Sequence, residues 1–233
     1  MGSEALNAPL AILWRDDRYV AIDKPSGLLV HPTELAPGEP SCLIRLRDQL
    51  GQRLYPVHRL DRQTSGVLVF ALASDAAREL METWPLGQVR KRYHAVVRGW
   101  TAEQGEVDRP LRETPEKPRV AARSLYRLLK KVEFADPVGR YASARYSWVE
   151  VETLTGRQHQ VRKHLLSISH PIVGDTTYGD GDHNRYFRAK FGIHRLLLHA
   201  LSLEFTYPSK VGTGARIMIE APVPEEFTRV FAE

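Results

Sequence analysis

At 233 residues, with 42% hydrophobic and 26% charged side chains, the chain can bury a substantial core and falls outside the disordered class. The 33 Lys and Arg against 28 Asp and Glu give a formal charge of +5, which is compatible with a polyanionic partner but does not require one. Cys42 is the only cysteine, which excludes an internal disulfide and a thiolate zinc cluster. No signal-like segment opens the sequence, and its longest apolar run, residues 67–73, is too short for a bilayer, so a soluble, cytoplasmic protein without membrane association is expected.

Residues 11–14 and 19–22 alternate like two strands joined by an Asp16-Asp17-Arg18 turn. Lys24-Pro-Ser-Gly27 breaks that pattern ahead of the apolar residues 28–30, and residues 41–50 suit a short helix capped by Ser41. Residues 67–70 form a compact apolar strand. Ser74 and Asp75 then make a helix start, and Ala77, Leu80, Met81 and Trp84 share one apolar face of a helix ending before Pro85. A strand is expected over 93–97, a polar stretch from Gly99, and a loop over 113–118.

Residues 124–129 and 141–151 are strand-like, residues 158–167 helical, and residues 195–205 and 216–220 complete the strands. Residues 224–231 predict a terminal helix with proline in its first turn. Strands dominate and helices intervene irregularly. The pattern predicts a single α+β domain around a mixed, largely antiparallel sheet flanked by helices, without repeats or a linker.

Chemistry concentrates in two segments. In His58-Arg-Leu-Asp-Arg-Gln-Thr-Ser-Gly66, Arg59 and Arg62 flank Asp61 ahead of an apolar strand. Cations nearby keep a carboxylate ionised, and an ionised Asp at a strand mouth can act as nucleophile or base. On charge alone a solvated turn is the simpler reading. In Thr155-Gly-Arg-Gln-His-Gln-Val-Arg-Lys-His164, Arg162 shares the helix face of Leu165 and Leu166. A guanidinium there needs an anion; a solvated basic face is the alternative. His159 and His164 are five residues apart, unlike the helical zinc pair of metalloproteases. Residues 180–184 start like a calcium loop, but Arg185 and Phe191 occupy the places of its turn glycine and bidentate glutamate. Neither a phosphate-binding Gly-Lys-Ser/Thr loop nor a GxGxxG is present, so no metal and no nucleotide cofactor is expected.

The first of these segments resembles the catalytic motif of the RluA-type pseudouridine synthases, and others match that family in order. Ala21-Ile-Asp-Lys-Pro-Ser-Gly-Leu-Leu-Val-His-Pro32 resembles its first motif, and Lys91-Arg-Tyr-His-Ala-Val-Val-Arg-Gly99 the segment of its active-site tyrosine. Gly156-Arg-Gln-His-Gln-Val-Arg162 resembles its arginine motif, His170-Pro-Ile-Val-Gly-Asp175 follows, and Leu197-Leu-His-Ala200 resembles its last motif. The resemblance covers residues 11–222. It implies a catalytic domain over 11–233 behind a short extension of residues 1–10, with a central RNA-binding cleft.

The resemblance also implies roles. Asp61 is the catalytic carboxylate that exchanges an N-glycosidic for a C-glycosidic bond, Tyr93 stacks on the uracil and helps remove a late proton, and Arg162 pairs with Asp61. Either Leu197 or Leu198 packs on the base, while Lys24 and Pro25 support the Asp61 loop. Nucleotide flipping is expected, assisted by Arg59, and Arg62, Lys91, Arg92, Arg157 and His159 are further candidate RNA contacts. With the first strand starting near Ala11, no room remains for an S4-type RNA-binding module. Residues 179–199 resemble family members that modify a T-stem uridine of tRNA, although residues 112–122 make a shorter loop than theirs. The expected partner is therefore tRNA, with ribosomal RNA as the alternative, and the expected state is a monomer. A non-catalytic RNA-binding protein is the reading from another class.

Overall fold

In the computed structural model, residues 8–34, 36–84, 87–114, 116–208 and 214–232 are described. Most of the expected N-terminal extension (residues 1–7), the helix-ending Pro85 and the loop residue Pro115 lie outside them. The elements in chain order are β1 (Ile12–Arg15), β2 (Tyr19–Lys24), α1 (Cys42–Leu50), β3 (Tyr55–Pro56), β4 (Ser65–Ala71) and α2 (Ser74–Thr83). They continue with β5 (Val89–Arg98), β6 (Gln104–Asp108), β7 (Arg123–Phe134), β8 (Ala144–Thr153), α3 (Gln160–Ser167) and α4 (Gly181–Phe191). The last three are β9 (Leu198–Thr206), β10 (Arg216–Glu220) and α5 (Glu225–Val230). Among the described residues, no helix is long and apolar enough to cross a membrane. The chain packs as two compact units. Of the described residues, one takes those up to Arg90 with those of 200–222, and the other those of 91–199 with 223–232.

In the first unit the strand order is β1-β2-β4-β9, with β3 on β4 and β10 on β9. β2 and β4 form an antiparallel ladder from Tyr19↔Ala71 to Lys24↔Gly66. All seven residues of β4 are buried, which explains why it is a continuous apolar run with no alternation. Ala76, Ala77 and Leu80 of α2 pack on Tyr19, Val67, Val69 and Phe205. This corrects the predicted face. Met81 is 53% exposed, and the inward stripe starts one residue earlier, at Ala76, whose carbonyl accepts a 3.0 Å bond from the Tyr19 hydroxyl. The cap differs as well: Ala73 holds the N-cap position without a side-chain bond, and Ser74 is already helical. At α1 the expected cap is present, with Ser41 accepting from the Ile44 N–H. The apolar residues 28–30 form no strand; Leu29 makes only an isolated bridge to Ser41.

In the second unit the strand order is β5-β8-β7-β6, all antiparallel. Alternation along β5 sends Ala95 and Val97 to one face, where Val161 and Leu165 of α3 cover them. Val96 faces the other side, packed with Phe187 of α4 and Phe227 of α5. β6 was not foreseen, because it is mostly exposed and polar. β7 runs five residues past its predicted end, through a register shift between Leu128 and Lys130. α4 replaces the failed calcium loop. Asp180 caps it by accepting from the Asp182 and His183 N–H groups, and it also pairs with Arg98 at 2.6 Å. In α3, Arg162 and Leu165 are buried as expected, but Leu166 is 42% exposed. At α5, Pro224 is the N-cap residue and precedes the first turn.

Gly66 marks a close approach in the first unit. Its φ is +109°, and a Cβ there would collide with the carbonyl oxygen of Ala200. Gly27 also has positive φ, +89°, but open space around it. Gly66→Ala is expected to lose roughly 3 kcal/mol or more, from backbone strain plus collision, and Gly27→Ala only about 1 kcal/mol from strain. Urea unfolding of both variants checks this, and equal losses would refute the packing argument.

Candidate active site

The first unit builds a rigid turn after Asp61. Lys24, at the end of β2, has no exposed surface. Its ammonium donates to the carbonyls of Pro25 at 3.0 Å, Arg62 at 2.9 Å and Thr64 at 2.8 Å. A buried charge is tolerated only when its donors are taken up, and three carbonyl dipoles do that here. The Gly27 N–H donates to the Arg62 carbonyl at 2.9 Å, Arg62 Nε returns a bond to the Gly27 carbonyl at 2.9 Å, and Ser26 Oγ donates to the Gln63 carbonyl at 2.7 Å. The Thr64 N–H closes the turn on the Asp61 carbonyl at 3.0 Å. On the other side of Asp61, His58 Nε2 accepts from the Val69 N–H at 3.0 Å. Lys24-Pro-Ser-Gly27 thus clamps the segment that carries Asp61, as expected of it. Asp61 is half-buried and Arg59 exposed.

The second unit holds Arg162 just as firmly. Arg162 is 8% exposed and Asp175 2%. The guanidinium donates from Nε to Oδ2 at 2.7 Å and from Nη2 to Oδ1 at 2.9 Å, a bidentate fork. Asp175 Oδ1 also accepts from the Thr177 and Tyr178 N–H groups, each at 2.9 Å. Burial pushes the Asp175 carboxyl up, but the Arg162 bonds and the two backbone N–H groups outweigh it, and the net shift is downward. The Tyr178 ring lies 4.9 Å from the guanidinium carbon, and its hydroxyl meets His159 Nδ1 at 3.0 Å. His159 itself stands in a left-handed conformation, φ +55°, at the N-terminus of α3. Asp175 was not singled out from the sequence, although it closes the quoted His170–Asp175 motif; its role follows from the fork it makes.

Tyr93 of β5 packs in the same apolar cluster as Val161 and Leu198, whereas Leu197 belongs to the cluster on the other face. Of the candidate RNA contacts, Arg62 also reaches Glu39 at 3.2 Å, Arg92 pairs with Glu152 at 3.8 Å, and Arg157 Nε donates to the Ala121 carbonyl at 3.0 Å. Lys91 is half-buried beside Gly156. His164 is structural: its ring nitrogens meet Ser124 Oγ at 2.9 Å and the Arg109 carbonyl at 3.1 Å.

A family model described as RNA pseudouridylate synthase matches residues 18–167. The tRNA pseudouridine synthase C of Vibrio vulnificus is 42% identical over 233 residues, covering 95% of this chain and 94% of that protein. The protein of the same description from Haemophilus ducreyi is 44% identical over 232 residues, with coverage of 95% and 94%. Among solved structures, human RNA Pseudouridylate Synthase Domain Containing 1 is similar in fold, with a TM-score of 0.74 at 23% identity over 95% of this chain and 85% of that one.

Removing the Asp175 carboxylate strands a buried guanidinium, so Asp175→Ala is expected to lose about 3 to 5 kcal/mol at pH 7. Because the folded-state value of Asp175 is lowered, its contribution is complete above the ordinary aspartate range near pH 4 and fades as pH falls through the lowered value. Denaturant midpoints at neutral and acid pH should therefore show the wild-type advantage shrinking in acid. A constant difference at all pH values would contradict the pairing.

Proposed function

The chain belongs to the RNA pseudouridylate synthase family, and from that premise we propose that it isomerises a uridine of tRNA to pseudouridine, with Asp61 as the catalytic carboxylate. The observation that carries this reading is the 42–44% identity to tRNA pseudouridine synthase C over 95% of the chain. That similarity continues well past residue 167, where the match to the family model ends. It includes residues 179–199, whose resemblance to T-stem-modifying members makes a T-stem uridine the proposed target. The protein is taken to act as a cytoplasmic monomer.

The reaction breaks the N1–C1′ glycosidic bond, forms a C5–C1′ bond on the same uracil, and late on takes the proton from C5 while N1 gains one, so that no atom is gained or lost. Nothing is oxidised, reduced or hydrolysed, so side-chain chemistry suffices. A clamped turn suits Asp61 to this work, because a carboxylate held in place needs little reorganisation as the sugar–base bond changes. Tyr93 and Arg162 complete the proposed catalytic set. Tyr93 stacks on the base, and Leu198, from the same apolar cluster, is the better candidate of the two leucines for packing against it. The target must leave its stack to be reached. Arg59 suits that step, being exposed and without an internal partner among the described residues. Arg62, Lys91, Arg92, Arg157 and His159 are proposed to line the RNA path.

The test uses purified protein, unmodified tRNA transcripts and ribosomal RNA fragments, with pseudouridine mapped at single-nucleotide resolution. Wild type should modify a T-stem uridine. Asp61→Asn should lower turnover by about a thousandfold or more while changing the tRNA affinity by less than about threefold. Pseudouridine formed by Asp61→Asn would refute the catalytic role, and modification of ribosomal RNA alone would refute the substrate.

A further inference from the structure

The candidate RNA contacts differ in what the fold already asks of them. Arg62 is held by Glu39 and the Gly27 carbonyl, Arg92 by Glu152, Arg157 by the Ala121 carbonyl and His159 by Tyr178. Arg59 is exposed, so water solvates it. Lys91 is unlike all of these. It is half-buried, and among the described residues its ammonium has neither a hydrogen-bond nor an ion-pair partner.

Its place in the sheet defines its surroundings. The β5–β8 register pairs Arg92 with Glu152, so one further step sets Lys91 opposite Thr153. Thr153 in turn is opposite Ser124 on β7, and directly opposed residues share a face. That face is the one α3 covers, since Ser124 Oγ bonds Gln160 and His164 of that helix. Tyr93, two residues along β5, lies on the same side. Lys91 Nζ reaches the turn before α3 so closely that a Cβ on Gly156 would be 3.2 Å away. Thr153 is 6% exposed, and its hydroxyl has no hydrogen-bond partner. Burial alone pushes the Lys91 ammonium down to about 8.

A desolvated ammonium without a counterion is unfavourable until an anion arrives. The nearest acid along the ladder, Glu152, already pairs with Arg92. The anions that an RNA substrate carries are phosphates, and a compact ammonium with three donors binds them as a point charge. The unused Thr153 hydroxyl lies in the same row. Resting on the RNA-modifying reading above, we propose that Lys91 anchors a backbone phosphate of the substrate on the face that carries Tyr93.

The experiment measures binding of an unmodified tRNA transcript to wild type, Lys91→Met and Lys91→Arg across a salt titration, together with KM, kcat and thermal melting. Lys91→Met should bind about tenfold more weakly, with its log–log salt slope reduced by about 0.7 to 0.9, the release expected for one phosphate. KM should rise more than kcat falls, and Lys91→Arg should restore most of the affinity. The melting temperature of Lys91→Met should equal or exceed that of wild type, because an unpaired buried charge has been removed. An unchanged salt slope would overturn the proposal. So would a loss confined to kcat that arginine does not rescue, which would assign Lys91 to proton transfer, or a lowered melting temperature with unchanged affinity, which would make it structural. Wild type that binds the transcript without modifying it would sink the enzymatic reading, yet leave this comparison readable.

Discussion

The turn that carries Asp61 depends on the buried ammonium of Lys24. Asp61 and the residues after it form a polar turn, and apolar burial cannot fix the direction of a polar turn. Its carbonyls need donors. Lys24 supplies them from the end of β2, gathering three carbonyls from two segments about 40 residues apart in the chain. The ladder between β2 and β4 decides where that ammonium falls, because Lys24 pairs with Gly66 at its last rung. A slip of one residue would turn the lysine to the opposite face. Gly66 makes the arrangement possible from the other side, since no side chain fits against Ala200 there. The buried strand pair, the lysine and the turn are therefore successive consequences of one register.

The second unit meets a related demand with an ion pair. Arg162 lies on the inward side of α3, where an unpaired guanidinium would be intolerable, and Asp175 answers it with both oxygens. Asp175 is steadied in turn by two backbone N–H groups, and the Tyr178 ring covers the guanidinium. Such pairs add little net stability over an apolar substitute. What they give is direction, because a forked, hydrogen-bonded guanidinium has one orientation. Lys24 and Arg162 are thus both charges, each in its own unit, whose surroundings leave them little freedom.

Buried strands were legible in the sequence because a short, wholly apolar run such as β4, too brief for a core helix, fits little else than a strand covered on both faces. Helical spacing likewise located Ser41 and Arg162. Reading was incomplete where a local cue had two meanings. Asp180-Gly-Asp starts like a calcium loop that Arg185 and Phe191 rule out, but the helix α4 that Asp180 caps was not foreseen, because a cap and a calcium ligand draw on the same residue type. β6 carries almost no apolar signal because it is mostly exposed. The face of α2 was misjudged because Met81 looks like core by composition, while the strand beneath leaves room for Ala76. Asp175 escaped notice for a different reason. Its importance comes from a partner thirteen residues away, and no spacing rule reaches across a helix, a turn and a loop.

Cations expose the deepest limit of sequence reading. β7 is a strongly basic strand, with Arg123, Arg127, Lys130 and Lys131 along it, and on composition it would be a natural platform for a polyanion. Three of the four pair with an acid on a neighbouring strand or connection, Arg123 with Glu106, Arg127 with Glu150 and Lys131 with Glu103, and the Lys130 ammonium lies over the Trp148 ring. The strand's charge is largely neutralised where it stands, and a paired cation attracts a phosphate only at the expense of its existing bond. Lys91 and Arg59 contribute fewer charges, but no internal partner offsets them among the described residues. What matters for a polyanion is the cation that folding leaves unsatisfied, not the number of cations. A net charge of +5 is therefore a weak guide to where RNA would bind, and the ion-pair pattern of the folded chain is a much stronger one.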